Sequence, residues 1–514
     1  MSIPNLSDDQ RAARERIARL LAAAGVDIDA GHCQPAPAAR PEAAVLAITG
    51  KAGSGKTLLL AEIVRGLRGA GVEPVTGESE PRRRRERRSF AVLAPTNKAA
   101  AVLRGRGVPA TTIHRVLYTP IYAPEYERLA EWLATGTGPR PVVEGLSDAA
   151  LDRAQSFFAQ NRSVPGALAT AGLRGSDFIR GWTRREDPLD IGLIDESSML
   201  DERQIEDLRA LFPTLVLFGD PAQLAPVGQS GAMVFDRLPA DQRLHLARVH
   251  RQEADSPILD LAHALADPAV DFPAFERLVE GAARRDGRVV VAERVDADLM
   301  ARSPVLVWRN TTRVRLIAAF RAAHGCPPDD LLPGEPLVCD GIELPATHRN
   351  RRVELEARGL VKGAETVYLG RGGRAGFARL HVVGAEDPRV SAAAIIKIEV
   401  PESDEPLIAS AARMGAAFLH GAAVTVHKAQ GSQWPEVQVY APDLWAAAQS
   451  GRDEAGLPLW KRLAYVAITR AEERLRWVVR ARLARPTRPL AIDDLPGPAP
   501  LAPAPLAPSA SGES

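Results

Sequence analysis

Apolar and polar positions divide the chain into alternating helix and strand signals. Residues 7–24, SDDQRAARERIARLLAAA, read as a helix, with Ser7 and Gln10 at capping-box spacing and Gly25 as a stop. QPAPAARPEAA follows as a linker. AVLAITG is then a buried strand running into a glycine-rich turn and a helix from about Gly55. FAVLAP predicts the next strand, with a helix opening near Thr96. IGLIDE and TLVLFGD are two more strand-to-loop units. Between them, residues 119–185 carry weaker apolar strands broken by Gly and Pro, and read as an inserted subdomain.

A second α/β pattern begins after about residue 256. SPVLVWRN is strand-like, and TTRVRLIAAFRAAHG is a helix ended by glycine. From 335 to 412 the pattern changes to short β-rich runs such as ETVYLG, FARLHVVGA and AAAIIKIEV, which predict a small barrel or sandwich inserted in the α/β unit. GAAVTVHKAQG, WPEVQVYAP, LAYVAITRAEE and RLRWVV resume the strand–helix alternation. Residues 485–514 are rich in Pro, Ala and Ser and read as a disordered tail. No repeat of solenoid length is present.

A length of 514 residues exceeds one core and predicts several domains. With 46% apolar and 25% charged residues the composition is that of a soluble globular protein. Basic and acidic residues number 65 and 64, so any nucleic-acid binding must come from local grooves, not from overall charge. Cys33, Cys326 and Cys339 are scattered without CxxC pairing, which argues against a zinc site or a disulfide framework and suits a reducing cytosol. No signal peptide and no run of about 18 apolar residues is seen, so a cytoplasmic, membrane-free protein is expected.

The sharpest chemical signal is GKAGSGKT, Gly50–Thr57, which matches G-x-x-x-x-G-K-[ST] between a strand and a helix. Glycines here (Gly50, Gly53 and Gly55, with Ser54 among them) let backbone N–H groups converge on phosphate oxygens, and the helix N-terminus adds its dipole. Lys56 is expected on the β- and γ-phosphates and Thr57 on Mg²⁺. This loop supplies a partner for two adjacent acids in GLIDESSML. Asp195, at a strand end, is expected to hold Mg²⁺ of bound ATP, and Glu196 to orient and deprotonate the attacking water. DES as a helix N-cap is the competing reading.

A phosphate loop alone does not separate a kinase from a motor. LFGDPAQLAPVG places Asp220 and Gln223 after a strand parallel to that of Asp195, where a neutral amide can sense the γ-phosphate. VHRQ offers Arg251 and AITRAEE offers Arg470 as guanidinium groups for transition-state charge. Either could instead be a surface ion-pair residue. No second phosphate loop occurs, so the second α/β unit is expected to close on the first unit's ATP.

ITGKAGSGKT, VLAPTNKAAAVL, TTIHRVL, LIDESSML, LFGDPAQLAPVG, LARVHRQ, VTVHKAQGSQW and YVAITRAEERL, in that order, resemble superfamily 1 DNA helicases of the RecD/Dda-like group. The resemblance implies an α/β fold of two tandem RecA-like P-loop NTPase domains, a small inserted 1B element with a strand-separating pin, and an SH3-like β-barrel insertion, with 5′→3′ translocation on single-stranded DNA. The expected layout is first domain 1–118 and 186–256, 1B insert 119–185, second domain 257–334 and 413–484, barrel 335–412, and tail 485–514. Carried over by position, Gln10 would read the adenine edge, against the capping-box alternative. Gln430 and Gly431 would link the nucleotide cleft to the DNA groove, with Gly431 on the nucleotide side.

The expected DNA track is Thr96, Asn97 and Lys98 at one helix N-terminus, with Thr112 and His114 nearby, and Thr425, His427 and Lys428 in the second domain. A plain N-cap at Thr96 and a satisfied core histidine at His114 compete with this. Trp308, Arg309, Asn310 and Arg313 stand outside the track, because Arg309 departs from the family pattern. The run Arg82–Arg88 reads as a solvated loop. Tyr122, Trp132, Phe157 and Phe158 are aromatic but match no pin. The expected partners are single-stranded and forked duplex DNA, with repair or recombination proteins, and the expected state is a monomer. Rival readings are a motor subunit of a RecBCD-type exonuclease complex, an ATP-gated single-strand binding switch that does not unwind, and an RNA helicase.

Overall fold

The structure is a computed structural model that describes residues 6–35, 42–76, 88–122, 124–135, 138–142, 147–161, 167–168, 171, 179–185, 189–224, 233–247, 256–343, 355–356, 358–385, 387–403, 406–409, 412, 414–454, 456–492 and 495. Its first half is built on a parallel sheet with strands in the order Arg243–Leu246, Ala44–Gly50, Thr214–Gly219, Ile191–Ile194, Ser89–Ala94 and Glu73–Pro74. Ala110–Thr112 also pairs with Ser89–Ala94. The central strands are apolar throughout because both sheet faces are covered. Ile48, Leu193, Val216 and Phe218 pack on one face with Ile17, Leu21, Leu59 and Ile63 from the flanking helices. Ala47, Ile194, Leu215 and Leu217 pack on the other with Leu208, Phe212 and Phe235. Gly192 is small because a Cβ there would meet Leu215 Cδ2 at 2.7 Å and Phe212 Cγ at 3.0 Å.

The second half repeats the plan. Its parallel sheet runs Val289–Ala292, Ala471–Val478, Trp434–Tyr440, Val305–Val307, Ala423–Thr425. These are two RecA-like α/β domains in tandem. Asp443, fully buried, ties the second one together by accepting the Trp308 and Arg309 N–H groups, the Arg309 guanidinium and the Thr312 hydroxyl. Arg309 and Arg313 thus serve the fold, with Arg313 paired to Asn310 and Glu399.

Between helix Asn310–Ala323 and strand Ala423–Thr425 the chain forms a closed barrel. Strands Pro336–Glu343, Glu365–Arg371, Phe377–Val382, Arg389–Ile398 and Gly415–His420 pair in a ring, with Leu407–Ile408 added on Arg389–Ile398. Bulges at Cys339/Gly341 and Tyr368/Gly370 supply the bend that closure needs. The last strand lies past residue 412, where the sequence reading closes the insert. The barrel is rooted by a buried cluster in which Glu335 takes Arg321 Nε at 2.8 Å and His420 Nε2 at 3.1 Å.

Residues 119–185 differ from the strand-rich expectation. Helices Pro124–Thr135 and Asp148–Asn161 dominate, beside one antiparallel pair, Tyr118–Tyr122 with Ile179–Arg184. Leu129, Leu133, Leu151 and Ala154 form a small separate core, against which Trp132, Phe157 and Phe158 pack. The Tyr122 side chain lies outside the description. Two further expectations are corrected. Arg88 is buried, donating to the Ala24 carbonyl at 2.9 Å and facing Asp190, so the end of the basic run is structural; residues 77–87 lie outside the described residues. Residues 485–492 are not a free tail. The Thr487 amide and hydroxyl bond Asp298, and Leu490 packs on Gly334 and the second domain's core. Among the described residues no helix is long and apolar enough to cross a membrane, and the three cysteines are unpaired.

Candidate functional site

The phosphate loop leaves strand Ala44–Gly50 and enters helix Lys56–Gly69 through Gly53 and Gly55, at φ 83° and 78°. Both angles favour glycine. Gly50 is equally constrained, since a Cβ there would meet Ser54 Oγ at 2.5 Å. Lys56 Nζ donates to the Gly50 and Lys51 carbonyls at 2.5 and 3.0 Å, and Ser54 Oγ is buried with no partner among the described residues. An ammonium folded over its own loop, a buried hydroxyl without a partner and a glycine-lined cradle fit a polyphosphate. Thr57 is half-buried at the helix start.

Gln10 is fully buried and used twice. Its Oε1 accepts the Ser7 N–H at 3.0 Å, completing the capping box, and its Nε2 donates to the Ser54 carbonyl at 3.1 Å. A Cβ at Gly55 would sit 2.1 Å from that nitrogen. The capping box is present, with the Gln10 amide nitrogen turned to the phosphate loop.

Asp195 follows strand Ile191–Ile194. Burial, then the charge of Glu196, pushes its carboxyl up to about 7, while Lys56 and Arg106 pull it down. A carboxylate so destabilised suits a divalent cation. Glu196 has φ 52° and opens the turn Ser197–Met199 without a side-chain cap bond, so the N-cap alternative for DES is not what the carboxylate does. Gln223, buried, accepts from Ser198 Oγ at 3.3 Å, which joins the candidate sensor to the acidic turn.

Helix Leu459–Ile468 of the second domain docks on this site. Tyr465 hydroxyl accepts the Ala52 N–H of the phosphate loop at 2.9 Å and donates to Asp220 Oδ2 at 2.7 Å. Arg462, three residues earlier on the same face, donates to the Pro221 carbonyl at 3.1 Å and to the Gln223 carbonyl. Arg470 is buried just past the helix. Its guanidinium bonds the Val466 and Ser432 carbonyls and Thr469 Oγ1 at 3.0–3.1 Å, and Glu196, Tyr465 and Asp220 are its electrostatic neighbours. A surface ion-pair role for Arg470 is excluded by that burial. Arg251 lies outside the described residues. Sequence reasoning missed Tyr465 and Arg462; the available signal was two polar positions three apart in a helix whose other polar residue is Lys461.

A cavity of about 1330 Å³ opens between the two domains and the barrel. Thr96, Asn97, Lys98, Thr112 and His114 line it from the first domain, and His427 and Lys428 from the second. Thr96 is also an N-cap, accepting the Ala99 N–H at 3.1 Å. His114 is exposed against the Tyr118 ring, not a core residue. Thr425 does not line the cavity; its hydroxyl accepts the Lys428 N–H and shapes the turn. Gly431 is at φ 74°, and a Cβ there would lie 3.3 Å from Thr96 Oγ1 and from Ala99 Cβ. Glu365 of the barrel, unnoticed in the sequence, holds both Lys98 and Trp434 Nε1, and Lys98 lies 4.6 Å from the Trp434 ring centre.

A parallel α/β unit with a phosphate loop and adjacent acids, facing a second unit that supplies a buried arginine, defines a P-loop NTPase with a helicase-type second domain. The chain belongs to the AAA domain family, whose model matches residues 36–292, half of its length; residues 420–478 match the UvrD-like helicase C-terminal domain. A probable conjugal transfer protein TraA of Sinorhizobium fredii is 26% identical over 341 residues, which are 61% of this chain and 28% of that protein. The chain thus spans under a third of that relative's length. Among solved structures, Pif1 helicase from Candida albicans aligns with a TM-score of 0.44 at 15% identity, covering 93% of this chain and 95% of that one. Bacteroides Pif1 bound to ssDNA aligns with a TM-score of 0.46 at 13% identity, covering 93% of each.

Proposed function

We propose that the protein is a motor that moves along single-stranded DNA, 5′→3′, and unwinds duplex ahead of it, with ATP hydrolysed between the two RecA-like domains. The observation that carries this reading is the docking of helix Leu459–Ile468 on the phosphate loop and the Asp220–Gln223 turn, which gives a nucleotide-dependent change in one domain a direct path to the other.

Lys56, Ser54 and the loop amides bind phosphate, and Thr57 with Asp195 would hold Mg²⁺, which would neutralise phosphate charge. Glu196 takes the proton of the attacking water. Gln223 senses the γ-phosphate. Arg470 releases its own-domain carbonyls to meet transition-state charge, with Arg251 as a second guanidinium. The cavity residues Thr96, Asn97, Lys98, Thr112, His114, His427 and Lys428 grip the DNA backbone, and the barrel is an SH3-like module closing that channel. The 119–185 insert is the 1B element that bears on the duplex.

Two assays test this. Lys56→Ala should abolish turnover while keeping single-strand affinity. Wild type should displace strands from 5′-tailed duplex and not from 3′-tailed duplex, in ATP and Mg²⁺. Hydrolysis on single strands without displacement would favour the ATP-gated switch; greater stimulation by RNA than DNA would favour an RNA helicase.

A further inference from the structure

Among the described residues, Tyr465 and Arg462 make four hydrogen bonds from helix Leu459–Ile468 to the nucleotide site. Tyr465 uses one hydroxyl in both directions, as acceptor from Ala52 N–H and donor to Asp220 Oδ2. Arg462 takes the carbonyls at both sides of the next turn, Pro221 and Gln223. Arg462, Tyr465 and Asp220 are all buried, so each bond is made in a water-poor seam. The turn they hold carries Gln223 and, through Ser198, is bonded to the turn that follows Glu196. The helix they sit on ends at Ile468, two residues before Arg470.

We propose that Tyr465 and Arg462 are positioning residues that couple the phosphate loop and the Asp220–Gln223 turn to the second domain and thereby set the placement of Arg470 for hydrolysis. The inference rests on the ATP-site reading above. The phenol meets the loop through a backbone N–H and the turn through a carboxylate, so a shift of either on nucleotide binding moves the helix. Arg462 stops the turn from shifting alone. Neither side chain needs to touch the nucleotide. Arg470 now spends its guanidinium on Val466, Ser432 and Thr469, all in its own domain, and must be re-aimed to act.

The test uses the full chain with saturating single-stranded DNA. Tyr465→Phe removes only the hydroxyl. The expected result is a kcat for ATP lowered on the order of tenfold to a hundredfold, as misplacement of a catalytic group does, with KM for ATP within about twofold. Arg462→Lys, which keeps the charge but cannot reach two carbonyls, should lower kcat in the same way, and gives the reading if the phenylalanine variant fails to fold. The pairing with Arg470→Lys is diagnostic: the double variant Tyr465→Phe/Arg470→Lys should be no slower than Arg470→Lys alone, because both losses pass through one guanidinium. A folded Tyr465→Phe protein with wild-type kcat, or losses that multiply in the double variant, overturns the coupling role. If Lys56→Ala turns over ATP normally, the site reading itself falls; if Lys56→Ala is inert while Tyr465→Phe is unaffected, only this inference does.

Discussion

Glu196 holds a backbone conformation, φ 52°, that a residue with a Cβ adopts only when its surroundings impose it, at a cost of about 1–3 kcal/mol. The imposing surroundings are on both sides. Strand Ile191–Ile194 is clamped between two parallel neighbours, and Ser197 and Ser198 are fully buried directly after. Asp195 is pushed up to about 7 by burial and by the neighbouring Glu196 charge, with Lys56 acting against both, and Arg470 feels the Glu196 charge as well. Glu196→Gln keeps size and backbone, so the variant should melt with wild type and still bind ATP. Its turnover should fall on the order of 10²–10⁴-fold, the usual contribution of a positioned base. Multiple-turnover phosphate release checks this, and a rate within a few-fold of wild type would remove Glu196 from the proton-transfer role.

At the scale of elements, the N-terminal helix is a brace for the phosphate loop. Ser7 and Gln10 satisfy each other's backbone groups, and the same Gln10 amide reaches Ser54. Ser7→Ala should therefore raise KM for ATP without touching the nucleotide, alongside a stability loss of about 1 kcal/mol for the lost cap. If only Gln10→Ala does so, with loss of ATP-over-GTP preference, adenine reading is the better account. The cap was legible in the sequence because it is local, three residues end to end. The Ser54 bond was not, since it depends on how the helix packs. The same distinction explains residues 119–185, where Leu129 and Leu133 sit at helical spacing but the surrounding Gly and Pro pointed to strands. The barrel's foot carries a further prediction. Burial lowers the His420 pKa, and Glu335, although burial acts to raise it, is held below its ordinary value by bonds from His420 and Arg321. Both shifts carry one sign. The His420 contribution is complete above about pH 6.5 and is lost as pH falls below it; the Glu335 contribution follows below about 4.5. Protection factors of barrel amides, taken against the intrinsic exchange rate at each pH, should fall from pH 7 to 5, and His420→Gln should flatten that fall between 7 and 5.5. An unchanged slope would sink the assignment.

For the whole molecule, the phosphate loop, the acids and Arg470 could be named from sequence because each is a short motif with its own chemistry. The contacts that make them one machine could not. Tyr465 to Ala52, Arg462 to Gln223 and Glu365 to Lys98 all link residues hundreds of positions apart. Of these, Glu365 sets a condition on the proposed DNA channel. Its carboxylate bonds Lys98 of the first domain and the Trp434 indole of the second, so three parts of the molecule meet at one acid in the cavity. A carboxylate bound to a lysine where DNA is expected has the charge and acceptor oxygens of a phosphate contact. DNA that uses Lys98 must displace it. Both side chains are partly exposed, which limits the pair to less than about 1 kcal/mol. Glu365→Gln should thus tighten single-strand binding by no more than about fivefold, the factor that this ceiling allows. Because salt screens the competing ion pair, the gain should shrink at raised salt while overall affinity falls. Lys98→Ala should remove the gain: Glu365→Gln/Lys98→Ala should bind like Lys98→Ala alone. Fluorescence anisotropy on a labelled oligonucleotide measures all four proteins, and a Glu365→Gln gain that survives loss of Lys98 would place the competition elsewhere in the channel.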